Sequence, residues 1–292
     1  ASADPPAAPG DPAPSERAPR VPVADPDATV LPNKEGGFAP NYTVLFAADG
    51  TNGLLVDVAV AVDNDEGAHA LEMVDQVVEW FGEAPDQFLG DGAYGSGANL
   101  SGLAERGVEA FVPQTQREDR PDNPARRADP TQPVAEADWP RLPRSKRTKR
   151  LDRSAFVYDE DSDCYYCPMG HRLSCCHRND RHRQRGRVVS WLYRATSCSG
   201  CPLAGVCLSG KGNRTISRDE YEDLREAMDE RLRSEAGKAT YKKRSWIAET
   251  PNAVIKALMG MRQFLTRGVE NVTTEVWWVA TAFNLKKMVA LI

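Results

Sequence analysis

Apolar and polar positions alternate in a readable way from Asn41 onward. "YTVLFAA" at 42–48 and "LLVDVAVAV" at 54–62 are apolar, β-branched runs flanking "DGTNG", which predicts two strands joined by a hairpin turn. In "AHALEMVDQVVEWFG" (68–82), Ala70, Met73, Val74, Val77 and Trp80/Phe81 recur at helical period and predict an amphipathic helix. "DQFLG" predicts a short strand that delivers Asp91. Ser96 is placed to cap a helix running to about Arg106, with Gly107 as its stop. "VEAFVP" at 108–113 predicts the next strand. The order strand, strand, helix, strand, helix, strand describes an α/β layered domain.

The flanking segments have other patterns. Residues 1–40 hold ten of the 21 prolines and no apolar period, which predicts a disordered lead. Residues 114–153 are polar and end in "RLPRSKRTKRLDR", a basic linker. Residues 154–210 carry all seven cysteines. A charged helix is predicted over 219–233, and 241–292 is helical, with Pro251 in a first turn. Val254, Leu258, Met261 and Leu265 mark its apolar face, so residues 211–292 complete the domain begun at 41–113. The apolar terminus at 276–292 is interrupted by Asn284, Lys286 and Lys287 and predicts a core helix, not a membrane span. There is no signal peptide, which suits a cytoplasmic protein, and the opening Ala suits a fragment or a processed form.

"LGDGAYGSG" contains Gly90, Gly92 and Gly95 in G-x-G-x-x-G spacing. A dinucleotide site also needs an acid about 20 residues on. That count reaches "PQTQ" at 113–116, and Asp91 sits where pyrophosphate should lie. Asp91 is better read as a carboxylate at a strand's end, open to a divalent cation, with ordinary turn chemistry as the plain alternative. Glu249 stands similarly at the mouth of a helix in "YKKRSWIAETPNAVIK" (241–256), flanked by Arg244 and Lys256.

The cysteines form two C-x₂-C pairs, Cys164/Cys167 and Cys198/Cys201, with Cys207 following Cys201 after five intervening residues. Paired knuckles about 30 residues apart suit tetrahedral Zn²⁺. Cys164 competes with Cys207 by spacing, His171 and His177 are substitutes, and plain buried thiols are the alternative. Between the knuckles, "HRNDRHRQRGRVVSWLYR" mixes arginines with Trp191 and Tyr193. Arg183 and Arg185 there, and Arg147, Lys149 and Arg150 upstream, suit nucleic-acid contact. The net charge of −5 does not oppose this, since local patches set phosphate contacts.

Taken together, "LGDGAYGS", "YKKR", the Glu249-to-Lys256 spacing, "QFLTRG" and "FNLKKM" resemble the catalytic half of bacterial insertion-sequence transposases with a DDE active site. "ADPDATVLPNKEGGFAPNYTVLFAAD" (24–49) resembles the segment that a subgroup with a cysteine-rich insertion carries before its second strand. The resemblance implies a ribonuclease-H-like core, interrupted by a zinc-binding insertion and closed by C-terminal helices. It implies carboxylates holding two Mg²⁺ about 3.5–4 Å apart, with Asp91 as second acid and Glu249 as third. It further implies phosphate contacts from Arg244 and Lys256, zinc on Cys167, Cys198, Cys201 and Cys207, and a homodimer or larger assembly on DNA. Asp49, in the chain's only "DGT", is the candidate first acid. The strand order makes it the turn acid after strand two, so the first strand and its acid are expected upstream of residue 1. A nuclease of the same fold, a non-catalytic zinc module that binds DNA, and a dinucleotide-dependent enzyme are the alternatives.

Overall fold

The computed structural model describes residues 22–32, 36–113, 122–183 and 186–292. The chain divides into two compact units, one from its two ends (to His69 and from Ile247) and one spanning Ala70–Trp246. Together their elements make a mixed α/β protein.

In the first unit, β1 (Thr29–Pro32) pairs antiparallel with β2 (Phe38–Asn41), and β3 (Thr43–Ala48) with β4 (Leu55–Ala61). The long terminal helix α7 (Val269–Leu291) buries Val272, Val276, Ala280 and Phe283. That spacing of four, four and three makes one helical stripe, packed with Tyr42, Leu55, Val58 and Ile255. Asn284 fastens the helix to the sheet: its amide accepts from Leu55 N and donates to Leu55 O, both at 2.8 Å. It thus satisfies both backbone groups of Leu55 as a neighbouring strand would.

Two expectations change here. Strand pairing begins at Thr29, inside the segment read as a disordered lead, while residues 1–21 lie outside the described residues. The end of that segment is tied down by charge. Asp25 accepts from Gly268 N and Asp27 from Val269 N, satisfying the first N–H groups of α7 where the helix dipole favours an anion. The apolar face expected over 254–265 is also shorter. The helical run stops at Leu258, and Gly260 adopts a left-handed φ of 76°. Pro251 and Ile255 are buried, while Leu258 and Leu265 are exposed.

In the second unit, α1 (Ala70–Phe81) precedes a parallel β–α–β unit: β5 (Gln87–Leu89), α2 (Gly97–Glu105) and β6 (Glu109–Phe111). α1 buries Ala70 and Val74 and packs Leu71 against α2 at Gly102; Trp80 and Phe81, expected on the core face, are exposed in its last turn. Five antiparallel strands follow in the order β11-β10-β9-β8-β7: β7 (Val157–Asp159), β8 (Cys164–Tyr166), β9 (Arg172–Arg183), β10 (Gly186–Ala195) and β11 (Thr215–Asp219). The short helix α3 (Ala204–Cys207) precedes β11; α4 (Glu222–Arg233) and α5 (Glu235–Lys242) follow it. The segment 114–153 is not a mere linker. Its described part buries Ala125, Val134, Leu142 and Leu151 in the core beneath this sheet. Those residues are too widely and irregularly spaced to show a period.

Among the described residues β3 pairs only with β4, and β5 only with β6. Each of these four strands keeps one edge without a strand partner among the described residues.

Candidate active site and thiol cluster

Asp91 follows β5 in extended backbone (φ −86°, ψ −176°), and its Oδ1 accepts from Ala93 N at 2.9 Å to start a short 3₁₀ turn. Ser96 Oγ then accepts from Asn99 N at 3.2 Å and caps α2. The carboxylate therefore stands half-exposed between the end of a strand and the start of a helix. Gly90 and Gly97 near it serve packing. None from Gly90 to Gly97 has a left-handed φ. A Cβ on Gly90 would lie 2.8 Å from the Phe88 ring, and one on Gly97 2.3 Å from the Tyr221 ring.

Arg244, expected on DNA phosphates, is drawn to Asp91: Nη2 lies 3.6 Å from Oδ2, with the side chains 23 % and 47 % exposed. At that exposure the pair is worth at most about 1 kcal/mol, so its role is orientation.

Glu249 is exposed and ends a π-helical turn, Ser245–Glu249, immediately before α6 (Thr250–Ala253). Pro251 explains the wide turn. It has no N–H for the Ile247 carbonyl four residues back, and its ring crowds that carbonyl. Ile247 is buried, and its Cδ1 lies 3.8 Å from the Cβ position of Gly50, so the Asp49 turn runs beside it. Asp49 itself is engaged by that turn through both oxygens. Oδ1 accepts from Thr51 N and Asn52 N, both at 2.8 Å, and Oδ2 from Leu54 N at 2.7 Å. Lys256 is exposed in a second π-helical turn, Val254–Leu258.

Cys167, Cys198, Cys201 and Cys207 line one small cavity of ≈ 20 Å³, with His171, Met169 and Arg214. That volume admits about one water-sized guest. Cys164 is buried but does not line it, and Cys175, Cys176 and His177 are exposed on β9. Two turns build the cavity wall. Cys167 N donates to His171 O, closed by Gly170 at φ 76°, and Cys201 N donates to Cys198 O. Arg214 N points at Cys198 Sγ at 3.4 Å. Burial, then the neighbouring thiols, push Cys207 up to about 11, against the lowering pull of Arg214; Cys167 is raised chiefly by burial. Arg214 Nε is buried without a hydrogen-bond partner among the described residues. As the side chains stand, no three His, Cys, Asp or Glu among the described residues converge into a metal-ligand group. The shared cavity and the missing convergence point in opposite directions.

A family profile described as a transposase DDE domain matches residues 166–289. Over that stretch the chain is similar to transposase DDE domains. No curated protein and no solved structure matches it. The match takes in Glu249, Lys256 and the four cavity cysteines and begins beyond Asp91. The transposase family implies DNA as partner, and no helix among the described residues is long and apolar enough to cross a membrane.

The basic residues expected on nucleic acid are placed as follows. Arg147 and Lys149 are exposed on a turn closed by the Arg144–Leu151 bridge, with Ser145 N donating to Arg150 O and Lys149 at φ 59°. Arg150 is half-buried. Arg183 ends β9, with its side chain outside the description, and Arg185 lies outside the described residues. The sequence pattern missed Arg218. It stacks 3.9 Å from the Tyr158 ring centre, bonds Tyr165, and pairs with Asp223 and Glu226 of α4. Arg153 and Arg225 both pair with Glu222, buried at 2 % exposure. The Arg218 and Arg153 pairs tie α4 to the sheet, and the contacts of Arg218 with Tyr158 and Tyr165 and of Arg153 with Glu222 join residues far apart in sequence, which leaves no local signal.

Proposed function

We propose that this chain is the catalytic-core portion of an insertion-sequence transposase, with a ribonuclease-H-like fold, cutting and rejoining DNA phosphodiesters with Mg²⁺. The family match over the helices that carry Glu249 is the observation that carries it. Asp91 and Glu249 are hard oxygen donors of the type Mg²⁺ prefers. Carboxylates of this kind would hold Mg²⁺, whose chemistry would be to activate an oxygen nucleophile and stabilise a leaving oxygen. Asp91 is prepared for this by the Ala93 N–H, which fixes one oxygen while Arg244 orients the other. Arg147, Lys149 and Lys256 are exposed cations suited to hold phosphates without reading bases.

The first acid comes from outside the described residues in this proposal. Asp49 has spent both oxygens on its own turn, and β3 and β5 each keep an edge on which a further strand can pair. The four cavity thiols would hold Zn²⁺ as a closed structural site once deprotonated, with the Arg214 guanidinium beside them offsetting the thiolate charge.

Nicking of supercoiled plasmid tests the proposal. Weak, Mg²⁺-dependent nicking is expected, lost in Asp91→Asn and in Glu249→Gln and kept in Asp49→Asn. Loss in a folded Asp49→Asn would instead make Asp49 the first acid. Salt-sensitive DNA binding with no metal-dependent nicking would leave a non-catalytic zinc module. Cutting without strand transfer would leave a nuclease.

A further inference from the structure

Within the first unit lies a half-open groove of ≈ 550 Å³, in the roughly 300–1,000 Å³ range of small-ligand sites. Its lining has two kinds of surface. Lys256, Arg262 and Arg267 contribute three cations, all exposed, and none makes an ion pair among the described residues. Tyr42, Phe46 and Phe264 contribute aromatic surface, with the Tyr42 and Phe264 rings edge to face at 5.9 Å. Asp25 adds a carboxylate. Its Oδ1 accepts from Tyr42 Oη and Gly268 N, and Oδ2 accepts no hydrogen bond among the described residues.

This composition narrows the guest. A purely apolar ligand would leave three cations unused, and a small inorganic anion would leave the rings unused and meet Asp25. A guest with an anionic group, a flat ring and an amino edge satisfies all three features: the cations take phosphate, the rings take the ring face, and Asp25 Oδ2 accepts from the amino group. That guest is a nucleotide with its base unpaired, since a base inside a duplex presents neither its face nor its pairing edge. We infer that this groove takes one unpaired nucleotide of a DNA strand. The inference rests on the proposal that the chain handles DNA, and adds that the strand is held locally single.

Fluorescence of 2-aminopurine placed in a single-stranded oligonucleotide reads the base environment directly. Binding of the full chain is expected to change the fluorescence in the single strand but not in the interior of a duplex. The double change Arg262→Gln and Arg267→Gln alters only exposed side chains. It should weaken single-strand binding about tenfold and lower the salt slope by roughly 0.7 for each phosphate no longer neutralised. Phe264→Leu should abolish the fluorescence change with a smaller loss of affinity. The inference is overturned if the wild-type chain binds the single strand with no fluorescence change, if the three substitutions leave signal and affinity intact, or if free deoxyadenosine monophosphate competes as well as the oligonucleotide. Loss of nicking in Asp91→Asn with the signal retained shows the groove acting separately from the cutting site. A signal in a chain that never nicks removes the transposase chemistry and leaves the groove.

Discussion

Asp91 and Asp49 are both acids followed by glycine, and their surroundings separate them. Asp49 gives its oxygens to three backbone N–H groups of its own hairpin, while Asp91 gives one to Ala93 and turns the other toward Arg244. Neighbouring glycines differ from cofactor glycines in the same concrete way. Gly97→Ala should destabilise the chain by about 1–3 kcal/mol, since its Cβ would press into the Tyr221 ring; the denaturant midpoint measures this. Tyr42 carries a pH dependence. Burial, then its hydrogen bond to Asp25, pushes the phenol from 10.0 up to about 12. The folded chain thus holds that proton more tightly than the unfolded one. Its contribution should be whole below pH 10 and lost as pH rises through about 12, while Tyr42→Phe should flatten that part of the stability profile.

At the scale of elements, most strand and helix positions could be read from the sequence because their signals are local. "DGTNG" between apolar runs, Ser96 three residues before Asn99, and Gly107 after α2 each act within one turn of chain. The misses share a cause: Trp80, Phe81, Leu258 and Leu265 kept the helical period, but exposure depends on whether another layer covers them. Asn284 shows the opposite case, a polar residue made essential by a partner 229 positions away. Asn284→Ala leaves both backbone groups of Leu55 without a partner and should cost about 1–3 kcal/mol, read from the urea midpoint.

For the whole molecule, the sharpest prediction concerns the thiols. Purified chain should carry about one zinc, in keeping with one tetrahedral site. Strong chelation should lower its melting temperature, and Cys201→Ser should reproduce the loss, whereas Cys164→Ser should keep the metal. Metal content by mass spectrometry and a chelator titration of the melt decide it. Absence of zinc from chain purified without chelators would leave these cysteines as buried thiols. The sequence by itself determined the carboxylate and thiol inventory, the hairpin that holds Asp49, and the strand-to-helix delivery of Asp91, because each depends on residues within a few positions. Only the tertiary structure decided that Arg244 faces Asp91 and that a groove gathers Asp25, Tyr42 and Phe46 with Lys256, Arg262, Arg267 and Phe264. Those groupings come from packing between distant segments, which no local pattern encodes. The glycines of "GDGAYGSG" stand on that border: their spacing suggests a cofactor loop, and only the rings of Phe88, Tyr94 and Tyr221 packed against Gly90 and Gly97 show why those two are glycine.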